Sequence, residues 1–92
     1  MIAYDNSIPD EQQLNRLAHP ALKEEALTFS NVCKSRFVVV AYDHDLLVGI
    51  GTISQHNQLQ AEWNVRIHES YKEREVETNI RKLLKAQYQL TG

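Results

Sequence analysis

This chain of 92 residues predicts an α+β fold, an antiparallel sheet of three to four strands packed by helices. Three observations point there. RFVVVAYDHDLLVGIGTIS, residues 36–54, places a β-branched and aromatic run on each side of a turn signal. LQAEWNVRI, residues 59–67, alternates apolar and polar residues with period two. Toward both ends of the chain, apolar residues recur at spacings of three and four, the period of a half-buried helix.

The elements follow in order. NSIPDEQQLNRLAHP predicts a first helix within a helical first third of the chain. Ser7 and Asp10 resemble a capping box, Pro9 suits a first turn, and Leu14, Leu17 and Ala18 form an apolar stripe. Pro20 separates this helix from a second, ALKEEALTFSNVC, with Leu22, Ala26, Leu27 and Phe29 inward and Lys23, Glu24 and Glu25 outward. Phe37 to Tyr42 and Leu46 to Ile53 form a hairpin across Asp43-His44-Asp45. Gly49 and Gly51 in the return strand predict a bend or the close approach of another backbone. Residues 55–58, QHNQ, read as a polar turn. In the strand 59–67, Leu59, Ala61, Trp63, Val65 and Ile67 share one face, with Gln60, Glu62, Asn64 and Arg66 on the other. A last helix starts near Ser70, where Ser70 and Glu73 form a second capping box. Val76, Ile80, Leu83, Leu84 and Gln87 make its inner face, and Glu77 and Arg81 an i,i+4 pair.

Composition narrows the function. Hydrophobic content of 42% and charged content of 24% describe one small globular domain, residues 1–92. The net charge of −2 offers no basic excess for a phosphate backbone, so no nucleic acid is expected as partner. No apolar run approaches the ~20 residues of a bilayer span, so no membrane is expected. The first residues, MIAYDNSIPDEQQ, carry neither the basic nor the apolar part of a signal peptide, and Cys33 has no second cysteine to bridge. The expected compartment is cytoplasmic. Cys33 is expected to be a small packed residue. His19, His44, His56 and His68 lack i,i+4 ligand spacing and a cysteine partner, so no metal is expected.

The order helix, helix, hairpin, strand, helix is similar to the N-terminal two thirds of the GNAT superfamily of N-acyltransferases. Three stretches, within residues 2–88, carry the likeness. VVVAYDHDLLVGIGTIS resembles the family's central hairpin. DNSIPDEQQLNRL resembles its first strand and first helix. IHESYKEREVE resembles the strand end and loop written V-x-P-x-Y-(Q/R)-x-x-G-x-(G/A). In that family the loop opens a helix and wraps the pyrophosphate of acetyl-CoA, on free amides and the positive end of the helix dipole. The resemblance places Lys72 at the Gln/Arg position, Glu73 and Arg74 at the variable positions, Glu75 on the first glycine, Val76 at a variable position and Glu77 on the second small residue. It also implies that backbone groups of Val65 and Ile67 would hold the thioester and pantetheine. Glu62 stands one residue from the strand position that often supplies a general base; the competing reading is a solvated strand residue.

Both small positions are glutamate here. Two like charges about 4 Å apart repel by roughly 1 kcal/mol in water and about 4 kcal/mol at an effective dielectric of 20. Several acid–phosphate pairs would lower affinity ~100-fold or more. The family also continues past this helix with a strand, a helix and a closing hairpin, for which these 92 residues hold no counterpart. The reading favoured is a GNAT-like module, non-catalytic, with no cofactor, acting through protein–protein contact or as a homodimer joined at strand 59–67 or at the last helix. The alternative is an active acetyl-CoA-dependent N-acetyltransferase on an amine substrate.

Overall fold

The computed structural model describes residues 2–17, 29–57, 60–72 and 75–91. Its elements are β1 (Ile2–Asp5), α1 (Glu11–Leu17), α2 (Phe29–Lys34), β2 (Phe37–Asp43), β3 (Leu46–Asn57), β4 (Gln60–Ile67), a 3₁₀ turn (Glu69–Tyr71) and α3 (Val76–Thr91). The strands form one antiparallel sheet in the order β1-β2-β3-β4. Helices cover both of its faces, as the α+β prediction requires.

Alternation along the strands divides the core. On one face Val39, Ala41, Ile53 and Ile67 pack with Val76, Ile80 and Leu84 of α3. On the other face Val40, Leu47 and Ile50 pack with Leu14 and Leu17 of α1 and Val32 of α2. Val76, Ile80 and Leu84 are fully buried, so each contributes about 1.5–3 kcal/mol. A register shift beside Ala41 and Tyr42 admits Val48 as an extra residue and brings it into the α3 cluster. Thr52, on the α1/α2 face opposite Asn64, is buried with no hydrogen-bond partner for its hydroxyl.

Gly49 and Gly51 lie directly beneath α3. A Cβ on Gly49 would stand 2.8 Å from Ile80 Cδ1, and one on Gly51 would stand 2.7 Å from Leu84 Cδ1 and press on Ile80. The close approach expected at these glycines is therefore made by helix side chains, not by another backbone.

Several boundaries differ from expectation. The first third is not wholly helical: IAYD forms β1, ahead of the stretch likened to a first strand. The first helix starts at Glu11 rather than near Ser7, and the Asp10 carbonyl accepts its first bond from the Leu14 amide. Pro9 disfavours helical geometry at Ile8, so the chain cannot turn helical from Ser7 onward. Of the second helix, only Phe29–Lys34 is seen; Ala18, Pro20, Leu22 and residues 23–27 lie outside the described residues. Gln55, His56 and Asn57 belong to β3, not to a turn, because Asn57 pairs with Gln60. Polar composition misleads there, since ladder pairing is a backbone property. Leu59 lies outside the described residues.

Two side chains expected inside are not. Leu83 is 38% exposed on α3, and Tyr88 instead joins the cluster, its ring centroid 5.9 Å from that of Trp63. Cys33 is exposed, because Val32 takes the inward position of α2 and the next helical residue points about 100° away.

Candidate functional site

The stretch from His68 to Arg81 carries the residues singled out by the loop comparison. β4 ends at Ile67, and the His68 amide donates to the Val48 carbonyl at 2.7 Å, closing the β3–β4 ladder. His68 then caps the 3₁₀ turn: its Nδ1 accepts from the Ser70 amide at 3.1 Å. Tyr71 follows, and its hydroxyl donates to Asp43 Oδ2 at 2.6 Å. This bond ties the segment to the turn of the β2–β3 hairpin. No spacing rule links Tyr71 to Asp43, which lies 28 residues away in sequence.

The helix does not start at Ser70. The Ser70–Glu73 capping box is replaced by the short turn, and α3 begins at Val76. Glu73 and Arg74 lie outside the described residues. Lys72 is exposed at the end of the turn. Glu75 has φ 59°, the left-handed conformation that glycine adopts freely and other residues avoid. Its carbonyl accepts the first bond of α3, from the Asn79 amide at 3.0 Å. The Val76 side chain is fully buried against the sheet and cannot line a surface site. Glu77 is exposed and accepts from Arg81 Nε at 3.1 Å, the expected i,i+4 pair.

On the neighbouring strand, Glu62 is exposed on the face away from α3, in the company of Asn64 and Arg66. Val65 is half-buried and Ile67 buried on the α3 face. Backbone groups alternate in direction along a strand. Because the His68 amide points to β3, the amides and carbonyls of Ile67, Val65 and Trp63 point away from it, out of the sheet.

Two clefts lie elsewhere. One, of about 510 Å³, is lined by Ala3, Tyr4, Asp5, Gln13, Tyr42, His44 and Asp45; the other, of about 250 Å³, lies between Asn6–Ile8 and Ser35–Val38. Neither includes any residue from 62 to 77. Within the first, burial raises the Tyr42 phenol above its ordinary range, and the Asp5 and Asp10 carboxylates add to the shift. Among the described residues no group of three His, Cys, Asp or Glu could hold a metal ion, and no helix is long and apolar enough to cross a membrane.

Comparison with solved structures finds a Staphylococcus aureus protein of unknown function, from a meticillin-resistant strain, described as a probable acetyltransferase. It superposes with a TM-score of 0.76 over 97% of this chain and 70% of its own, at 17% identity. The fold is similar to that of this probable acetyltransferase. At that identity the likeness concerns the fold alone. No family model and no curated protein matches the sequence.

Proposed function

We propose that this chain is a non-catalytic, cytoplasmic member of the acetyltransferase-like fold, of GNAT type, that works through contact with protein and takes no acyl-CoA. The observation that carries the reading is Glu75. Its backbone adopts the left-handed angle suited to the glycine of a pyrophosphate loop, while its side chain brings a carboxylate to the start of α3. Glu77 adds a second acid in the first turn.

These residues fit a diphosphate poorly. A glycine at position 75 would let phosphate oxygens reach the backbone; a Glu Cβ and carboxylate stand in that path. Acids in the first turn of a helix complement its positive end, so the dipole is already served without a ligand anion. Lys72 supplies a nearby positive charge, while Arg81, which pairs with Glu77, is committed along the helix. Glu62, the nearest base candidate, is exposed, whereas a general base needs a cleft that perturbs its pKa.

Calorimetric titration with acetyl-CoA tests the reading. The expected result is no heat of binding up to millimolar ligand. A micromolar dissociation constant would contradict it and favour an acetyl-CoA-dependent N-acetyltransferase.

A further inference from the structure

The larger cleft lies on the α1 side of the sheet, and three parts of the chain build it. Ala3 of β1 stands opposite Tyr42 of β2 in the ladder. Side chains alternate along a strand, so Ala3, Asp5 and Tyr42 share the face on which Tyr42 packs against the α1 and α2 cluster. The methyl group of Ala3 is too small to cover a phenol ring, and Tyr42 is only half-buried. Gln13 of α1 adds a second wall. Its Oε1 accepts from the Leu47 amide at 2.7 Å, which pins α1 to the start of β3. His44 and Asp45, between β2 and β3, form the exposed rim.

We propose that this cleft receives the guanidinium or ammonium side chain of a basic segment of a partner protein. The inference rests on the protein-contact reading above and deepens it, by naming where the partner is held and by what chemistry.

Charge is the first argument. Asp5 and Asp45 line the cleft, and among the described residues no lysine or arginine does. Asp5, Asp10 and Asp45 are exposed, and none of them forms an ion pair with a described lysine or arginine. Asp5 accepts one bond at Oδ1, from the Asn6 amide at 2.8 Å, which leaves its second oxygen for another donor. Asp43 is not counted in this set, since it holds Tyr71. Tyr42 senses the same field: burial raises its phenol first, and the Asp5 and Asp10 carboxylates raise it further. A field that disfavours a phenolate favours a cation.

Shape is the second argument. The volume of about 510 Å³ falls within the roughly 300–1,000 Å³ of ligand sites, ample for one long side chain. Asp5, His44 and Asp45 do not converge as the ligands of a metal ion would. Acids set apart around an aromatic wall suit a group that carries its charge at the end of an apolar stem. Arginine matches this best. Its guanidinium stacks on a phenol face, and its five N–H donors can reach separate carboxylates. Because the rim is exposed, the side chain can enter from a protein surface laid against the hairpin turn. The cleft includes none of residues 62–77, so its occupant makes no demand on the start of α3.

Amide chemical shifts of the ¹⁵N-labelled full chain test this. The probe is a capped Gly-Arg-Gly-Arg-Gly peptide, and its citrulline counterpart supplies the same shape without the charge. Saturable shifts are expected at Ala3, Asp5, Tyr42, His44 and Asp45 with the arginine peptide, and none with the citrulline peptide. Asp5→Asn and Asp45→Asn should each weaken binding about tenfold, since each removes a charge-assisted bond. Ala3→Leu should weaken it as much, by filling the space beside Tyr42 with no change of charge. Glu69→Gln, at an acid outside the cleft, should leave binding unchanged, and circular dichroism checks that every variant is folded. No saturable shift at millimolar peptide overturns the inference. So do equal shifts with the citrulline peptide, an Ala3→Leu variant that binds as well as wild type, or a Glu69→Gln variant that loses as much as Asp5→Asn. Free arginine amide that binds as tightly as the peptide would also overturn it, since the occupant would then be a small cation and not a protein segment. A chain that binds both the peptide and acetyl-CoA would uphold the cleft and sink the absence of acyl-CoA binding. A chain that binds neither would do the reverse.

Discussion

At Glu75 a backbone angle and a side chain pull in opposite directions. A φ of 59° costs a non-glycine residue roughly 1–2 kcal/mol, and the loop holds it there all the same. Glu75 lies between Tyr71, whose hydroxyl is bonded to Asp43, and Val76, which is buried in the core. Glu75→Gly is therefore expected to raise unfolding free energy by about 1 kcal/mol, and Glu75→Val to lower it by at least as much. Urea denaturation of the two variants checks both signs; a glycine variant less stable than wild type would show that the angle is not strained in solution. The left-handed angle at Glu75 was not legible in the sequence, because glutamate carries no preference for that region.

At the scale of elements, spacing and alternation were enough wherever one face is buried. Val76, Ile80 and Leu84 recur at four-residue intervals and face the sheet, and the β-branched and aromatic runs Phe37–Tyr42 and Leu46–Ile53 pair as a hairpin, with Asp43 joining the strand rather than the turn. Boundaries failed where local polarity stood in for pairing: QHN continues β3, and Ser70 caps no α-helix because His68 has already opened a 3₁₀ turn. Leu83 failed for a different reason. It lies on the flank of the apolar stripe, where the helical period alone does not say how wide the covered face is. The packing of α3 on β3 depends on the missing side chains of Gly49 and Gly51. Gly51→Ala would drive a methyl into Ile80 and Leu84, and overpacking of this kind costs about 1–3 kcal/mol. Thermal unfolding should show the loss, and pairing Gly51→Ala with Leu84→Ala should recover part of it; an unchanged midpoint for Gly51→Ala would mean that α3 can lift off the strand freely.

The whole molecule is a sheet held between α1 and α2 on one side and α3 on the other, with the 3₁₀ turn forming a corner where the chain passes from the end of β4 toward α3. On the proposed reading, that corner is where an acyl-CoA pyrophosphate would have to lie, and Glu75 and Glu77 are expected to oppose it. Fold class was legible from three stretches of sequence, since an antiparallel sheet with amphipathic helices has few alternatives. The corner itself was only half legible: which backbone groups face outward follows from the parity set by His68, and that needs the β3–β4 register. Amide chemical shifts of a ¹⁵N-labelled chain, followed as coenzyme A is added, interrogate the corner directly. The expected spectrum leaves the amides of Val65, Ile67, Val76, Glu77 and Thr78 unmoved at millimolar ligand. Saturable shifts at those same amides would contradict the claim that Glu75 and Glu77 close the start of α3 to a diphosphate.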